Sequence, residues 1–396
     1  MRLNPSPKTC WQREAVRLAP TPTGFANEPR VNGSPVSLTD PALPTPARLR
    51  ALAAATTLGA LLTLAACGGA AESESETSAG PVTLENCDEE TTYDGTAERI
   101  VATSNSANIG TLLRVGALGQ IAAMSLSTGN DAILNDLYDV DVSDVPRLKS
   151  PISMESIVGA DPDLLVGSYS GLFSGSSGVT REAAADQGVP TYVISDSCRQ
   201  DPADAGSKLG TMGPWDAVRA DITNYGELTS HTDEAAAALA ELDERLAALE
   251  DAPQADAAPE VLLFDSATTD VYTSGRNGPP QGIIEAAGAE NVFGDEDTTW
   301  FRAAWETVAS REPDVIVVMD YRSDNPNEVE EKLATIRTHA ALKDTAAVKE
   351  DRIIVLPLVL FTSGYPNIEA AEQLRAGLEE LGLLPETDIA GTLDLS

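Results

Sequence analysis

Histidine is almost missing from this chain. The 396 residues hold two, His231 and His339, far apart, and no Cys-x-x-Cys. A site for bare zinc or manganese needs clustered imidazoles, thiolates and carboxylates, so capture of a bare ion is not expected. His231 reads as a helix-start residue and His339 as a surface one. Basic side chains are also scarce: 26 Lys and Arg stand against 62 Asp and Glu, a formal charge of −36. Such a surface repels phosphate backbones, which argues against nucleic acid as a partner. A Gly-x-Ser-x-Gly elbow, a P-loop and a His-Glu-x-x-His motif are lacking as well, so an enzyme is not expected and no catalytic residue is assigned. Aromatic residues make up only 5% of the chain, which makes their positions informative.

Long apolar runs are lacking too, with one partial exception. Ala51 to Leu64 is almost wholly apolar, follows Arg48 and Arg50, and leads into Leu64-Ala65-Ala66-Cys67. It is too short to span a bilayer and about the length of a signal-peptide core. Leu-Ala-Ala-Cys resembles the lipobox of bacterial lipoproteins. That resemblance implies cleavage before Cys67, a lipid on its sulfur and a protein held outside the cytoplasmic membrane. Each buried acyl methylene contributes about 0.8 kcal/mol, and two or more chains give a stable anchor. The alternative, an uncleaved buried helix, fits poorly with the polar Gly/Ser/Glu tether that follows. Residues 1–47 are rich in proline without apolar periodicity, and translation is expected to begin later, near Val31 or Val36. Four cysteines are present. With Cys10 removed and Cys67 lipidated, Cys87 and Cys198 remain in an oxidising compartment. They are expected to form a disulfide, the alternative being two buried thiols.

Past the tether, short strands and helices alternate. Strands are expected at 99–102, 119–124, 164–167 and 191–194, with helices at 109–115, 155–158 and 181–187 between them. A helical zone follows from Trp215 to Glu250, broken near Ser230-His231. Its second half, Thr232 to Glu250, contains no Gly or Pro. The pattern then repeats: strand 260–264, helix 281–287 stopped by Gly288, helix 305–310, strand 315–319. Glu155-Ser-Ile-Val-Gly-Ala-Asp-Pro-Asp-Leu-Leu-Val parallels Glu306-Thr-Val-Ala-Ser-Arg-Glu-Pro-Asp-Val-Ile-Val. The alternation predicts an α/β fold: two Rossmann-like lobes, each a mainly parallel sheet with flanking helices, joined by one long connector helix. The expected divisions are an N-terminal extension and signal peptide (1–66), tether (67–82), N-terminal lobe (83–229), connector (230–252) and C-terminal lobe (253–396). Ligands favour the crevice at strand C-terminal ends between such lobes.

Residues in loops after strands are therefore the candidates for ligand contact. In the first lobe these are Asn105, Ser106, Met124, Tyr169 and Phe173. In the second they are Tyr272, Arg276, Trp300, Tyr321, Arg322, Phe361 and Tyr365. Aromatic faces suit a bulky chelate, and arginines can reach its metal-bound oxygens.

Glu98-Arg-Ile-Val101, the Glu155 to Val166 segment, Ile284-Glu-Ala-Ala-Gly-Ala-Glu-Asn-Val-Phe293 and Arg352-Ile-Ile-Val-Leu-Pro357 together resemble the class III periplasmic binding proteins. These are the receptors of ABC importers for iron–siderophore complexes and cobalamin. The resemblance covers roughly residues 83–383. It implies a monomer that captures a ferric chelate between its lobes, without a cofactor of its own. It also implies an ABC permease and its ATPase as partners, with Glu155 and Glu285 docking on permease arginines. Where relatives often carry Pro-Gly-x-Arg-Asn, this chain has Ser363-Gly-Tyr-Pro-Asn367, which leaves ligand identity open. Cobalamin or heme is the alternative ligand, and a surface adhesion or scaffold lipoprotein the alternative class.

Overall fold

The computed structural model describes residues 80–103, 106–169, 171–173, 178–200 and 208–395. Cys67 and Asn105 lie outside the described residues, and Ser106 is placed only as the first residue of a helix. The described chain opens with an antiparallel hairpin, β1 (Val82–Asn86) and β2 (Glu89–Tyr93). The first lobe follows: β3 (Ile100–Ala102), α1 (Ser106–Arg114), β4 (Ile121–Met124), α2 (Asp131–Tyr138), α3 (Met154–Val158), β5 (Leu164–Gly167), α4 (Arg181–Asp186) and β6 (Thr191–Val193). Its four strands are all parallel, in the order β4-β3-β5-β6.

Helix α5 (Pro214–Thr229) starts on a proline, whose fixed φ and missing N–H suit a first turn. It stops at Ser230, which takes a left-handed φ of 59°. Helix α6 (Thr232–Asp251) then runs unbroken for 20 residues, about 30 Å. The second lobe comprises β7 (Glu260–Phe264), β8 (Ser266–Ala267), β9 (Val271–Ser274), α7 (Pro279–Ala286), β10 (Glu290–Asn291), β11 (Trp300–Ala303), α8 (Trp305–Ser310), β12 (Val315–Asp320), α9 (Glu328–Thr338), α10 (Ala346–Lys349), β13 (Ile353–Pro357) and α11 (Asn367–Glu380). Strands β10-β7-β12-β13 form a parallel sheet, as the alternation predicts. A small antiparallel sheet, β11-β9-β8, and the β1–β2 hairpin are additions that the alternation does not announce. Their strands are short and partly polar, so they carry little period-2 signal.

The repeated acid-Pro-Asp turn has the same task in both lobes. The Asp163 carboxylate accepts the backbone N–H groups of Glu98 and Arg99 at 2.8 and 2.9 Å, capping the start of β3. The Asp314 carboxylate accepts the N–H of Glu260 at 3.1 Å, at the start of β7. Asp161 and Glu312 enter the two turns with φ of 52° and 50°.

Strand residues alternate between two cores. Ile100, Ala102, Leu164 and Val166 of the first sheet and Val261, Leu263, Val315 and Val317 of the second all face one common core. Helices α5, α6 and α11 contribute Ile222, Leu242 and Leu374 to it. The intervening residues face lobe-specific cores, Val101 and Leu165 in the first and Leu262 and Ile316 in the second. Both sheets are covered on both faces, which explains their near-continuous apolar sequence.

A buried ion cluster joins α6 to the last helix. Arg245 donates to Glu372 at 2.6 Å and to Glu369 at 3.2 Å, and the two glutamate side chains are 10% and 1% exposed. Arg245→Ala would leave the buried Glu372 carboxylate without its cation, while Glu369 keeps Gln373 and the Thr392 and Leu393 N–H groups. A loss of about 3 kcal/mol is expected in denaturant unfolding, and a change below about 1 kcal/mol would contradict the role given to this cluster.

A second buried polar cluster lies beneath β6. Asp221 accepts from the Tyr192 hydroxyl at 2.7 Å, the Ser195 hydroxyl at 2.6 Å and the Ser195 N–H at 3.0 Å. Burial pushes its carboxyl up to about 6. Burial, and then the nearby Asp221 charge, push Asp196 up to about 8, and its Oδ1 has no hydrogen-bond partner among the described residues. Such a carboxyl holds a proton that the unfolded chain has already released. Stability should therefore fall as pH rises from about 4 through about 8. Asp196→Asn should leave stability at pH 4 nearly unchanged and raise it at pH 8 by roughly 1–3 kcal/mol. Unfolding curves at the two pH values check this, and a variant with the wild-type pH slope would refute it.

Candidate functional site

Both sheets send the C-terminal ends of their strands toward the same inter-lobe region, and three sets of contacts tie the lobes together around it. At one end, the loop after β4 meets the loop after β12. Ser127 Oγ donates to the Arg322 carbonyl at 2.9 Å, and Asn130 Nδ2 donates to the Tyr321 carbonyl at 3.4 Å. Gly129 is required there, because a Cβ would lie 2.2 Å from the Arg322 oxygen. At the other end, Lys208 Nζ stands 3.7 Å from Asp297, and Gly210 packs on Asn277. Between them, α1 touches the segment after β13. Thr362 Oγ1 accepts the Ala107 N–H and Thr111 Oγ1 accepts the Tyr365 N–H, both at 2.9 Å.

Each lobe carries an aromatic group, one within strands β9 and β11 and one just past β5. In the second lobe, Tyr272 and Trp300 stack with ring centroids 5.8 Å apart, and the Arg302 guanidinium lies 5.1 Å from the Tyr272 centroid. The register makes this possible, since Tyr272 pairs with Arg302 and Ser274 with Trp300 across β9 and β11. Asp265, the first residue after β7, accepts from the Tyr321 hydroxyl and donates its N–H to the Tyr272 carbonyl. Burial holds the Asp265 carboxyl above its usual range. Burial and then the Asp265 charge raise the Tyr321 phenol. In the first lobe, Tyr169 donates its N–H to Ser197 Oγ at 2.6 Å, and its hydroxyl accepts from Arg181 at 3.1 Å. The Arg199 guanidinium sits 4.2 Å from the Tyr169 ring centroid.

The structure thus gathers Tyr272, Trp300 and Tyr321 in the second lobe, the first two within strands β9 and β11 of the small antiparallel sheet rather than in loops, and places Tyr169 just past β5 in the first lobe. Other candidates are engaged elsewhere. Phe173, 4% exposed, lies against Gly167 within the first lobe's own core, where a Cβ would come within 2.9 Å of its ring. Tyr365, 3% exposed, is packed in the seam behind the cleft, with Arg114 over its ring at 5.1 Å. Met124 and Phe361 are fully buried. These four satisfied the strand-end rule, but apolar side chains there turn inward when space remains beneath the loop. Arg276 binds Asp297 at 2.9 Å and Arg322 binds Asp320 at 2.8 Å, so both arginines already hold carboxylates. His339 is half-buried and stacked on Trp305 at 3.7 Å rather than free on the surface.

Arg199, Arg302 and Asp265 contact the candidate aromatics and are not among the residues that the sequence singles out. Asp265 was within reach, as it follows β7 just as Tyr321 follows β12. Arg199 depends on an antiparallel bridge to Leu209, and Arg302 on the β9–β11 register, neither of which local sequence announces.

The two proposed docking acids differ in setting. Glu155 is exposed in the first turn of α3, directly ahead of the Pro-Asp turn and β5. Glu285 is exposed at the end of α7, accepts from Gln281 at 2.7 Å and stands beside a groove of about 680 Å³. By position in the repeat, the second-lobe counterpart of Glu155 is Glu306. It is exposed in the first turn of α8, ahead of the second Pro-Asp turn and β12.

Among the described residues no helix is long and apolar enough to cross a membrane. Comparison with known proteins gives the family. A cobalamin-binding protein of Halobacterium salinarum is 30% identical over 171 residues, 42% of this chain and 40% of that protein, so the likeness spans well under half of either. An ABC-type Fe3+-hydroxamate transport protein structure from Saccharomonospora viridis shares 26% identity, with a TM-score of 0.62 over 75% of this chain and 99% of that one. The heme-binding protein RhuT of Roseiflexus shares the fold at 21% identity, with a TM-score of 0.56 over 72% and 99% of the two chains. The periplasmic binding protein family model matches residues 101–360. With two parallel sheets meeting at their strand ends, this chain belongs to the periplasmic binding protein family, whose members bind substrates rather than transform them.

Proposed function

We propose that this protein is a membrane-anchored, extracytoplasmic substrate-binding lipoprotein of an ABC importer, which captures an iron(III)–siderophore complex between its lobes. The observation that carries the reading is that each lobe holds an aromatic group with a guanidinium over it, the Tyr272–Trp300 stack with Arg302 in the second and Tyr169 with Arg199 in the first. Flat π faces cover a bulky chelate, and guanidinium groups meet its anionic oxygens. The hydroxamate-transport relative supports a ferric chelate as cargo. The cobalamin-binding relative supports cobalamin as the second reading. Anchoring through a lipid on Cys67 rests on the Leu-Ala-Ala-Cys motif.

Titration with a ferric trihydroxamate, cyanocobalamin and hemin tests the cargo. Tryptophan quenching reports binding, and the bound ligand should raise the melting temperature by mass action. The ferric chelate is expected to bind. Preference for cyanocobalamin or hemin would move the assignment to that ligand, and binding of none would end the reading. Trp300→Ala and Tyr272→Ala should each weaken the bound chelate about tenfold or more, by loss of a stacking face.

Docking on the permease is assigned to Glu155 and Glu306, because the two occupy equivalent helix starts in the two lobes. Carboxylates so placed suit arginine forks on a partner. Glu155→Arg/Glu306→Arg should abolish uptake in cells while leaving ligand affinity intact, and Glu155→Arg/Glu285→Arg serves as the comparison. Normal uptake by the first pair together with loss in the second would take the role from both Glu155 and Glu306 and return it to Glu285.

A further inference from the structure

The Cys87–Cys198 disulfide joins two segments with different tasks. Its sulfurs are bonded, and its Cα atoms lie 5.1 Å apart. Cys87 is at the tip of the β1–β2 hairpin, and Cys198 directly follows the turn 195–197 beyond β6.

The hairpin is fixed to β6 without any sulfur. The buried Asn86 side chain donates to the Val193 carbonyl at 2.7 Å and accepts the Val193 N–H at 2.9 Å, imitating a strand neighbour. The Tyr93 hydroxyl donates to the Thr191 carbonyl at 3.1 Å, and Glu89 pairs with Arg181 at 3.2 Å. A cross-link at the hairpin tip is therefore not needed to hold the hairpin on the lobe.

What the cross-link does hold is the chain beyond β6. The Gly210 N–H donates to the Cys198 carbonyl and the Gln200 N–H donates to the Lys208 carbonyl, both at 3.0 Å. Residues 198–200 and 208–210 thus run side by side as a stem. This stem makes contacts on both sides of the cleft. Arg199 lies over Tyr169, whose N–H is held by Ser197 one residue before the cystine. Lys208 reaches Asp297, and Gly210 seats on Asn277, both in the second lobe. Lys208 and Asp297 are about half exposed, and an ion pair so exposed contributes little by itself. The stem needs an anchor on the first lobe, and Cys87 supplies it.

We propose that the Cys87–Cys198 disulfide is a positioning element of the binding cleft. Through the stem it fixes Arg199 over Tyr169, as a cation that meets an anionic oxygen of the ligand, and holds Lys208 across to Asp297. This rests on the binding reading above. It adds a ligand-facing arginine and a reason for the cystine that goes beyond stability.

The test is hydrogen exchange on the full chain, native and Cys87→Ser/Cys198→Ser, alongside chelate titration. In the folded double variant, exchange at the amides of Tyr169, Gln200, Gly210 and Asn277 should rise about tenfold or more. Exchange at Val193, and at Asn130 at the opposite end of the cleft, should stay near native. Affinity for the ferric trihydroxamate should drop about tenfold, the scale of one oriented charged contact, and Arg199→Ala with the cystine intact should reproduce that drop. A purely structural cystine would instead speed exchange at Val193 and through the hairpin, or raise it uniformly, and either result overturns the proposal. Should the double variant fail to fold, the native protein decides: Gln200 and Gly210 must exchange as slowly as Val193, and faster exchange there refutes the anchored stem. If no chelate binds native protein, the binding reading fails, while the exchange pattern still rules on the stem.

Discussion

One apolar core shared by both sheets governs the rest of this structure. Ile100 and Leu164 from one lobe and Val261 and Val315 from the other face the same buried space, filled between them by helices α5, α6 and α11. Close-packed interiors deform little, because any gap forfeits contacts along its whole lining. Two lobes that share a core in this way cannot separate widely without exposing it. The strand ends, and the loops that follow them, are therefore held at a nearly fixed spacing before any ligand arrives.

The polar clusters reinforce this frame. Arg245 ties α6 to α11 through Glu369 and Glu372. Asp163 and Asp314 fasten the first residues of β3 and β7. The contacts at Gly129 and Gly210 then bound the cleft at its two ends. A cleft framed this way is preorganised, which lowers the ordering cost of binding.

Much of the fold was legible because buried parallel strands leave a strong trace. Val315 to Met319 and Leu164 to Gly167 are apolar runs bounded by turn signals, and both sit where expected. The duplicated Pro-Asp segment announced a repeated unit, and the break at Ser230 marked the start of the long helix. Less of the site was legible. The loop-after-strand rule picked Tyr169 and Tyr321, which do follow β5 and β12, and also Tyr272 and Trp300, which lie within strands β9 and β11. The same rule also selected Phe173, Met124, Phe361 and Tyr365, which are buried. Whether an aromatic after a strand faces outward or inward depends on the volume beneath the loop, and no local pattern encodes that volume.

The sequence by itself determined the layered architecture, the repeat, the connector and the shortage of cations and imidazoles. Each of these follows from local periodicity, turn chemistry or composition. Only the tertiary structure decided which arginines are engaged. Arg276 and Arg322 are tied to Asp297 and Asp320, while Arg199 and Arg302 lie on aromatic rings. The reason is physical: a guanidinium takes the partner that the fold brings within a few ångströms, and that distance is set by strand register and chain crossings far away in sequence.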